Sequence, residues 1–379
     1  MLIKNGLIFT DTFLFEKKNI LLCEDKILEI EEPHLLSSCS SGEIYDASDC
    51  YVIPGLIDIH FHGCKGYDFC DGTDEALEAI TTYQLSRGIT TICPATMTLP
   101  EKSLTAICNH AAHYVPQHTG ATLCGIHLEG PFLSLAKKGA QNPQYLCPPD
   151  QAMLTRLLQA SKGLIKRVTI APEEAGALTC INALKDQVTF SIGHTTADYE
   201  TTLKAFQVGA AHVTHLYNAM PAFSHRSPGV IGAAFDTPNA MIELICDGVH
   251  IHPSVIRSTF KLFGDNRILL VSDSMMACGM PNGTYHLGGQ VVTVNHPIAT
   301  LEDGTIAGSV THLMDCLRYA IHIGIPMESA IKAATYNPAL AIGIHEHYGS
   351  ITPGKIAHLV VLRKDLSIKG IFFAGALVH

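Results

Sequence analysis

The sequence of 379 residues lacks the features that would direct a protein to a membrane or to nucleic acid. It contains no run of about 18 apolar residues, so no segment is expected to span a bilayer. The N-terminal segment "MLIKNGLIFTDTF" has no basic region followed by a continuous apolar stretch, which argues against a signal peptide. Long runs of Lys or Arg are missing and the formal net charge is −10, so neither nucleic acid nor an anionic membrane surface is an expected partner.

Several cysteine and enzyme motifs are also missing. The thirteen cysteines include no Cys-x-x-Cys pair, their number is odd and they are scattered through apolar segments, which is typical of reduced thiols in a cytoplasmic enzyme. The dinucleotide motif G-x-G-x-x-G, the nucleophile motif G-x-S-x-G and the zinc-protease motif H-E-x-x-H do not occur. The segment "GSITPGKI" is similar to a phosphate-binding loop, but Ile356 stands where a magnesium-binding hydroxyl is needed.

What the sequence does contain is enough apolar material, 47% of residues, for a large core. Residues 1–52 and 346–379 both show short apolar runs separated by Gly, Asn and Asp, the pattern of strands joined by turns. We expect these two segments to pair in one small β-sandwich domain.

Residues 53–345 show a different pattern, in which short β-branched or apolar runs alternate with longer helical segments. This alternation is typical of βα units around a parallel sheet. The predicted strands are "VIPGLIDIHFH", "GITTICPAT", "TLCGIHLE", "RVTIAPE", "VTFSIGH", "AAHVTHLYN", "AMIELICDGVH" and "RILLVSDS". Eight such units predict an α/β protein with a (β/α)8 TIM barrel, and residues 277–310 predict a β-hairpin insertion after the eighth strand.

Ionisable residues recur where these predicted strands end. His60 and His62 are one residue apart, so in a strand both imidazoles face the same side, although an isolated pair of this kind is more often two buried, hydrogen-bonded histidines. The later strands end, in chain order, at Glu129, His194, His215, His250 and Asp273. The carboxyl ends of barrel strands meet on one face, so we expect these side chains to converge. Imidazole and carboxylate ligands in this mixture favour Zn²⁺, with Fe²⁺ or Mn²⁺ as alternatives.

At these residues the chain resembles the amidohydrolase superfamily, first through "PGLIDIHFHG". Further motifs, in order along nearly the whole chain, resemble its N-acetylglucosamine-6-phosphate deacetylase branch: "HLEGPF", "KKGAQNP", "SIGHT", "THLYNAMPAFSHRSPG", "DGVHIHP", "VSDSM" and "TYNPA". The resemblance implies a (β/α)8 barrel with a β-sandwich built from both termini. It also implies metal-dependent hydrolysis of the acetamide of N-acetyl-D-glucosamine 6-phosphate to D-glucosamine 6-phosphate and acetate, in amino-sugar catabolism or cell-wall recycling.

Two other functions stay open at this stage. One is a related amidohydrolase activity, such as deacetylation of N-acetylgalactosamine 6-phosphate. The other is a metal-binding barrel without catalysis.

The resemblance further implies a metal-binding role for five of these residues. Glu129, His194 and His215 are expected to hold the principal metal ion, and His60 and His62 are expected to add a second site, so that each subunit binds one or two ions. Many relatives bridge two metals with a modified lysine at the end of strand four. Strand four here ends "IAPEE", without a lysine, so Glu129 is the expected bridge.

Substrate binding and catalysis are assigned by the same resemblance. Asn218, the backbone of Ala219, His250 and Arg226 match the positions that bind the sugar phosphate, and the arginine comes from the neighbouring subunit, which implies a homodimer.

The acid/base group and one departure from the family pattern concern the reaction itself. Asp273 is expected to act as the acid/base group, with metal ligation as the alternative role. Gln141 stands where the family motif has histidine. A glutamine amide can donate a hydrogen bond to the scissile carbonyl but cannot carry a charge.

Overall fold

The structure is a computed structural model that describes residues 1–32 and 43–379. Its strands within these ranges are β1 (Leu2–Lys4), β2 (Leu7–Phe9), β3 (Phe15–Lys17), β4 (Asn19–Cys23), β5 (Lys26–Glu31), β6 (Ile44–Asp46), β7 (Tyr51–Pro54), β8 (Leu56–Asp58), β9 (Gly63–Cys64), β10 (Tyr67–Asp68), β11 (Ile89–Ile92), β12 (Thr122–Leu123), β13 (Ile126–Glu129), β14 (Ile165–Ile170), β15 (Thr189–Ile192), β16 (Ala210–Val213), β17 (Met241–Ile245), β18 (Ile268–Val271), β19 (Gly283–Leu287), β20 (Gln290–Asn295), β21 (Ile298–Thr300), β22 (Leu359–Leu362), β23 (Ile368–Phe373) and β24 (Ala376–Leu377).

The helices in the described ranges are α1 (Asp74–Ser86), α2 (Glu101–Ala111), α3 (Gln151–Ala160), α4 (Ala177–Leu184), α5 (Tyr199–Val208), α6 (Gly229–Phe235), α7 (Pro253–Phe263), α8 (Leu313–His322), α9 (Met327–Ala334) and α10 (Tyr336–Ala341). Short 3-10 helices cover Phe69–Asp71, Leu135–Lys137 and Pro143–Tyr145. In the part of the chain that the structure describes, no helix combines the length and the apolar character that crossing a bilayer requires.

Several barrel helices begin at side chains that cap them. The oxygens of Thr73, Asp150 and Asp198 accept hydrogen bonds from backbone N–H groups in the first turns of α1, α3 and α5, respectively. Such caps satisfy donors that have no partner inside the helix. The polar residue before each apolar pattern therefore sets where the helix starts.

Eight parallel strands form the predicted barrel: β8, β11, β13, β14, β15, β16, β17 and β18. The last six form one parallel sheet in chain order, and β8 pairs with β11. A parallel bridge between Ala95 and His127 joins the extension of β11 to β13, and the Asp273 backbone N–H donates to the His60 carbonyl at 2.9 Å across the remaining gap. The fold class predicted from the sequence is confirmed.

The chain ends form two further sheets, with strand orders β5-β4-β1-β6 and β24-β23-β22-β7-β2-β3. C-terminal strand β22 pairs with N-terminal strand β7, so each end needs the other to complete its sheet. Buried side chains from both sheets, such as Ile3 and Ile8, belong to one apolar cluster. This is the arrangement expected of a sandwich built from both termini. The domain limits, 1–52 with 346–379 against 53–345, stay a prediction.

The segment after the eighth barrel strand, residues 277–310, contains the antiparallel sheet β19-β20-β21. Its buried side chains, among them Leu287, Val292 and Val294, pack in one cluster with Met97 from the loop after β11. These contacts hold the sheet against one side of the C-terminal face of the barrel.

Candidate active site

The strand ends bring four imidazoles around the carboxylate of Glu129. Its Oε1 lies 3.3 Å from Nε2 of His60, 3.3 Å from Nε2 of His194 and 3.2 Å from Nε2 of His215. Its Oε2 lies 3.3 Å from Nε2 of His62. The predicted convergence of these five side chains is therefore present in the structure, and Glu129 is at its centre.

Asp273 faces the same cluster from the end of β18. Its Oδ1 is 3.4 Å from Nε2 of His62 and 3.7 Å from Nε2 of His60. A carboxylate at these distances can either share a cation with the histidines or exchange a proton with a molecule bound beside them. Its position is compatible with both roles predicted from the sequence.

The arrangement fits a divalent cation. Two groups of residues here offer ligand atoms that, within each group, all lie within 4.8 Å of one another. One group is His60, His62 and Glu129, and the other is Glu129, His194 and His215. Nε2 of His194 and Nε2 of His215 are only 3.0 Å apart and both face the same carboxylate oxygen. Buried Nε2 of His60 has no hydrogen-bond partner among the described residues. Divalent cations held by these two groups would satisfy such lone pairs.

The charge distribution of the site also favours a cation. Burial by itself lowers the pKa of His62, but the carboxylates of Asp273 and Glu129 outweigh burial and raise that pKa to about 10. Burial raises the pKa of Glu129, whereas His60 and His194 hold it well below its usual range. The buried carboxylates thus attract positive charge strongly, whether protons or a metal ion supply it.

The backbone at three of these strand ends is strained. The φ angles of His194, His215 and Asp273 are 48°, 29° and 50°, in a region that residues other than glycine rarely adopt. Strained backbone of this kind concentrates at functional sites, where the surrounding structure maintains it.

The cluster lines a cavity of about 350 Å³. Nine predicted site residues contribute to its wall: His62, Glu129, Gln141, His194, His215, Asn218, Ala219, His250 and Asp273. His60 lies below the cavity and is fully buried, and exposed Arg226 is not part of the wall formed by its own chain.

Gln141 is held in one orientation by two hydrogen bonds. Its Oε1 accepts from the Thr98 backbone N–H at 2.7 Å, and its Nε2 donates to Glu129 Oε2 at 2.7 Å. An amide that is fixed in this way aims its donor group at the central carboxylate. One N–H of Gln141 is thus committed to Glu129, and its second N–H is the only one left for a substrate carbonyl.

The opposite side of the cavity is formed by residues after β16 and β17. His250 Nδ1 lies 2.6 Å from Asp247 Oδ2, so the carboxylate accepts from Nδ1 and leaves Nε2 free for a ligand. The Asn218 amide donates to the His215 carbonyl at 3.2 Å, which ties this side to a predicted metal ligand.

Some residues that contact the cluster were missed by sequence reasoning. Glu243 and Arg167 lie inside β17 and β14, and Glu243 Oε2 is 2.9 Å from Nδ1 of His60. The sequence feature that could have identified Glu243 is a charged residue within an otherwise apolar strand, "MIELI". The sequence also did not indicate that Leu287 and Ile306, from the segment after β18, would line the cavity.

Comparison with known proteins identifies the family. Residues 51–378 match the model of the amidohydrolase family. The chain belongs to this family. The resemblance inferred from the motifs is thereby confirmed.

Several relatives of this amidohydrolase that are more than 30% identical to it are named as deacetylases of N-acetylated amino-sugar phosphates. N-acetylglucosamine-6-phosphate deacetylase of Bacillus subtilis strain 168 is 35% identical, over 97% of this chain and 94% of the relative. N-acetylgalactosamine-6-phosphate deacetylase of Escherichia coli O157:H7 is 34% identical, over 86% and 87%.

Among solved structures, an aspartate-to-alanine mutant of the Mycobacterium smegmatis N-acetyl-D-glucosamine-6-phosphate deacetylase is similar over the whole chain. It was determined in complex with N-acetyl-D-glucosamine-6-phosphate. It superposes with a TM-score of 0.92 at 32% identity, covering 100% of this chain and 98% of that chain.

Proposed function

We propose that this amidohydrolase removes the acetyl group of N-acetyl-D-glucosamine 6-phosphate by metal-dependent hydrolysis, in amino-sugar catabolism or cell-wall recycling. The observation that carries the proposal is the convergence of Glu129, His194 and His215 at a cavity that Asp273 also lines. The names of relatives more than 30% identical over nearly the whole chain support the substrate.

In this proposal Glu129, His194 and His215 hold the principal ion, and His60 and His62 hold a second. A bound divalent cation supplies Lewis acidity, which polarises a carbonyl oxygen and lowers the pKa of water toward 7. Zn²⁺ is the proposed ion because imidazole and carboxylate are ligands that it accepts readily, and Fe²⁺ and Mn²⁺ are the alternatives.

Asp273 moves the proton in this mechanism. Burial raises the pKa of its carboxyl, but His62 and His60 outweigh burial and lower it, so the group begins as a carboxylate. Asp273 accepts a proton from the attacking water as the new C–O bond forms. It then delivers that proton to the amine as the C–N bond breaks, which releases acetate and D-glucosamine 6-phosphate.

The sugar phosphate is proposed to bind on the side of the cavity opposite to Gln141. Asn218, the backbone of Ala219 and His250 lie there, and Arg226 of the neighbouring subunit completes the site in a homodimer. An arginine can bind phosphate through two parallel hydrogen bonds. Holding a group that does not react orients the acetamide toward the metal ligands.

We further propose that the protein works in the cytoplasm. The twelve cysteines among the described residues are all free thiols, and most are buried in apolar surroundings. Thiols of this kind persist in a reducing compartment. The thirteenth, Cys39, lies outside the described residues.

The proposal predicts which sugars are deacetylated. Protein that has been stripped with a chelator and reconstituted with Zn²⁺ is expected to release acetate from N-acetylglucosamine 6-phosphate. The unphosphorylated sugar should have a kcat/KM lower by about 10²-fold or more, because it lacks the group bound by charge-assisted hydrogen bonds.

A comparison of three sugars decides between the candidates. N-acetylgalactosamine 6-phosphate is the second candidate substrate because a relative that bears its name is 34% identical. A higher kcat/KM for that sugar would transfer the assignment to it. Equal efficiency with and without the phosphate would remove the proposed role of Arg226, and metal binding without turnover would contradict catalysis.

Gln141 gives a second prediction. Gln141→Ala removes the donor to Glu129 and the amide proposed to donate to the scissile carbonyl. Losing a hydrogen bond worth about 1.5–3 kcal/mol to the charged transition state should lower kcat about 10- to 100-fold. Gln141→His restores the residue expected from the family motif and should retain more activity than the alanine variant. Equal kcat values for Gln141→Ala and the wild type would show that this amide takes no part in the reaction.

A further inference from the structure

A buried polar network lies inside the barrel, directly beneath the predicted metal ligands. Its central pair is Arg167 and Glu243, whose side chains are fully buried and whose Nη1 and Oε1 atoms are hydrogen-bonded. Arg167 Nη2 also donates to Ser191 Oγ at 3.2 Å. The second carboxylate oxygen of Glu243 turns away from the arginine and faces two predicted metal ligands.

This second oxygen, Oε2, contacts one residue from each of the two predicted groups of metal ligands. It lies 2.9 Å from Nδ1 of His60, and it accepts a hydrogen bond from the backbone N–H of His215 at 3.0 Å. His215 is one of the residues with a positive φ angle. One carboxylate oxygen thus contacts both a ring and a strained strand end.

We propose that Glu243 is a positioning residue that orients His60 and His215 for metal binding, and that Arg167 holds its carboxylate in place. The inference rests on the proposed metal-dependent function. It concerns a residue that contacts the ligands without binding the ion.

The chemistry of the contact determines which nitrogen of His60 is available. A carboxylate can only accept hydrogen bonds, so Nδ1 of His60 must carry the proton that it donates to Glu243. The lone pair of the neutral ring is then on Nε2, the atom 3.3 Å from Glu129 Oε1. A carboxylate behind a ligating histidine commonly fixes the ring in this way.

Glu243 itself as a metal ligand is the competing interpretation, because its carboxylate, His60 and His127 also offer atoms within 4.8 Å of one another. The carboxylate of Glu243 and Nε2 of His127 already have partners, whereas Nδ1 of His127 has no hydrogen-bond partner among the described residues. Arg167 occupies Oε1 of Glu243, and Nε2 of His127 lies 2.7 Å from Thr169 Oγ1. A cation placed here would also lie next to the buried guanidinium, which would repel it.

The network continues around the barrel interior and supports the same conclusion. Thr169 Oγ1 is 2.7 Å from Thr214 Oγ1, which is 2.6 Å from Ser191 Oγ. The ring of His127 packs edge-on against the ring of His60 at 4.4 Å between centroids. Hydroxyls from adjacent strands therefore connect the arginine to His127, whose ring packs against His60.

The test compares two double variants, both of which lack the buried arginine. Breaking only one member of a buried ion pair is strongly destabilising, whereas replacing both members by neutral residues is often tolerated. We therefore compare R167M/E243Q with R167M/E243L. The glutamine carbonyl can still accept from His60 and His215, and leucine cannot.

The measurement is the affinity for Co²⁺, by competition with a chelator, together with the visible spectrum of the bound ion. R167M/E243L should bind Co²⁺ about 10- to 100-fold more weakly than the wild type, the cost typical of losing a partner behind a metal ligand. R167M/E243Q should recover most of that loss and regain the wild-type spectrum. Val168→Ala, a buried truncation beside Arg167, is the control for general destabilisation and should leave the affinity unchanged.

Thermal unfolding of the metal-free proteins shows whether each variant is folded. Equal Co²⁺ affinity of the leucine and glutamine variants would overturn the positioning role, whatever their stability. A wild-type protein that binds no Co²⁺ would instead contradict the proposed metal-dependent function.

Discussion

Asp273→Asn should lower kcat by about 10²- to 10⁴-fold, the range typical of losing a general acid/base. Asparagine has nearly the same shape as aspartate but cannot accept and return a proton at neutral pH. In the wild type His62 and His60 hold the pKa of Asp273 below its ordinary value despite its burial, so the carboxylate is ready to accept that proton. The loss should appear in kcat, with little change in KM, because the residues proposed to bind the sugar phosphate are Asn218, Ala219, His250 and Arg226 and do not include Asp273.

Metal content separates the two roles of Asp273. A proton-transfer role predicts that the asparagine variant still binds metal as the wild type does, whereas a ligand role predicts that the ion is lost in proportion to activity. His194→Ala is the matched control, because it removes a predicted ligand and should lose both metal and turnover. Near-normal turnover by Asp273→Asn would refute the acid/base assignment.

The barrel and its catalytic edge were predictable because their signals are local. Apolar runs alternate with helical patterns, and several helix starts carry a side-chain cap, as Thr73 does for α1 and Asp198 for α5. The rule that strand ends share one face then assembles residues that are remote in sequence. Glu129, His194 and His215 lie at the ends of β13, β15 and β16 and meet within hydrogen-bonding distances.

What could not be predicted depends on contacts between distant segments. Gln141 was expected to face the substrate, and no local pattern reveals that the Thr98 backbone and Glu129 hold both ends of its amide. Glu243 and Arg167 are 76 residues apart in the sequence. A single charged residue within an apolar run, considered by itself, argues against a buried strand at that position. The two residues form an ion pair beneath the predicted metal ligands only because the barrel closes and brings their strands together.

Arg226→Met should reduce kcat/KM for N-acetylglucosamine 6-phosphate by about 10²- to 10⁴-fold and leave the slow reaction of the unphosphorylated sugar unchanged. A paired guanidinium–phosphate contact has two charge-assisted hydrogen bonds of about 1.5–3 kcal/mol each, which accounts for a loss of this size. Methionine keeps the length of the side chain without its charge. Lys204→Met, which removes a positive charge from α5, is the control and should have no such effect.

If the protein forms the proposed homodimer, mixed dimers can show which subunit supplies the arginine. Arg226 is exposed and is not part of the cavity wall formed by its own chain, so the proposal needs the arginine of the neighbouring subunit. Co-expressing Arg226→Met with Asp273→Asn then creates dimers in which one site has both residues intact. Random pairing predicts activity in about a quarter of all sites, because half of the dimers are mixed and each mixed dimer has one complete site. If Arg226 acts within its own chain, every site lacks one of the two groups and activity stays at the level of the single variants.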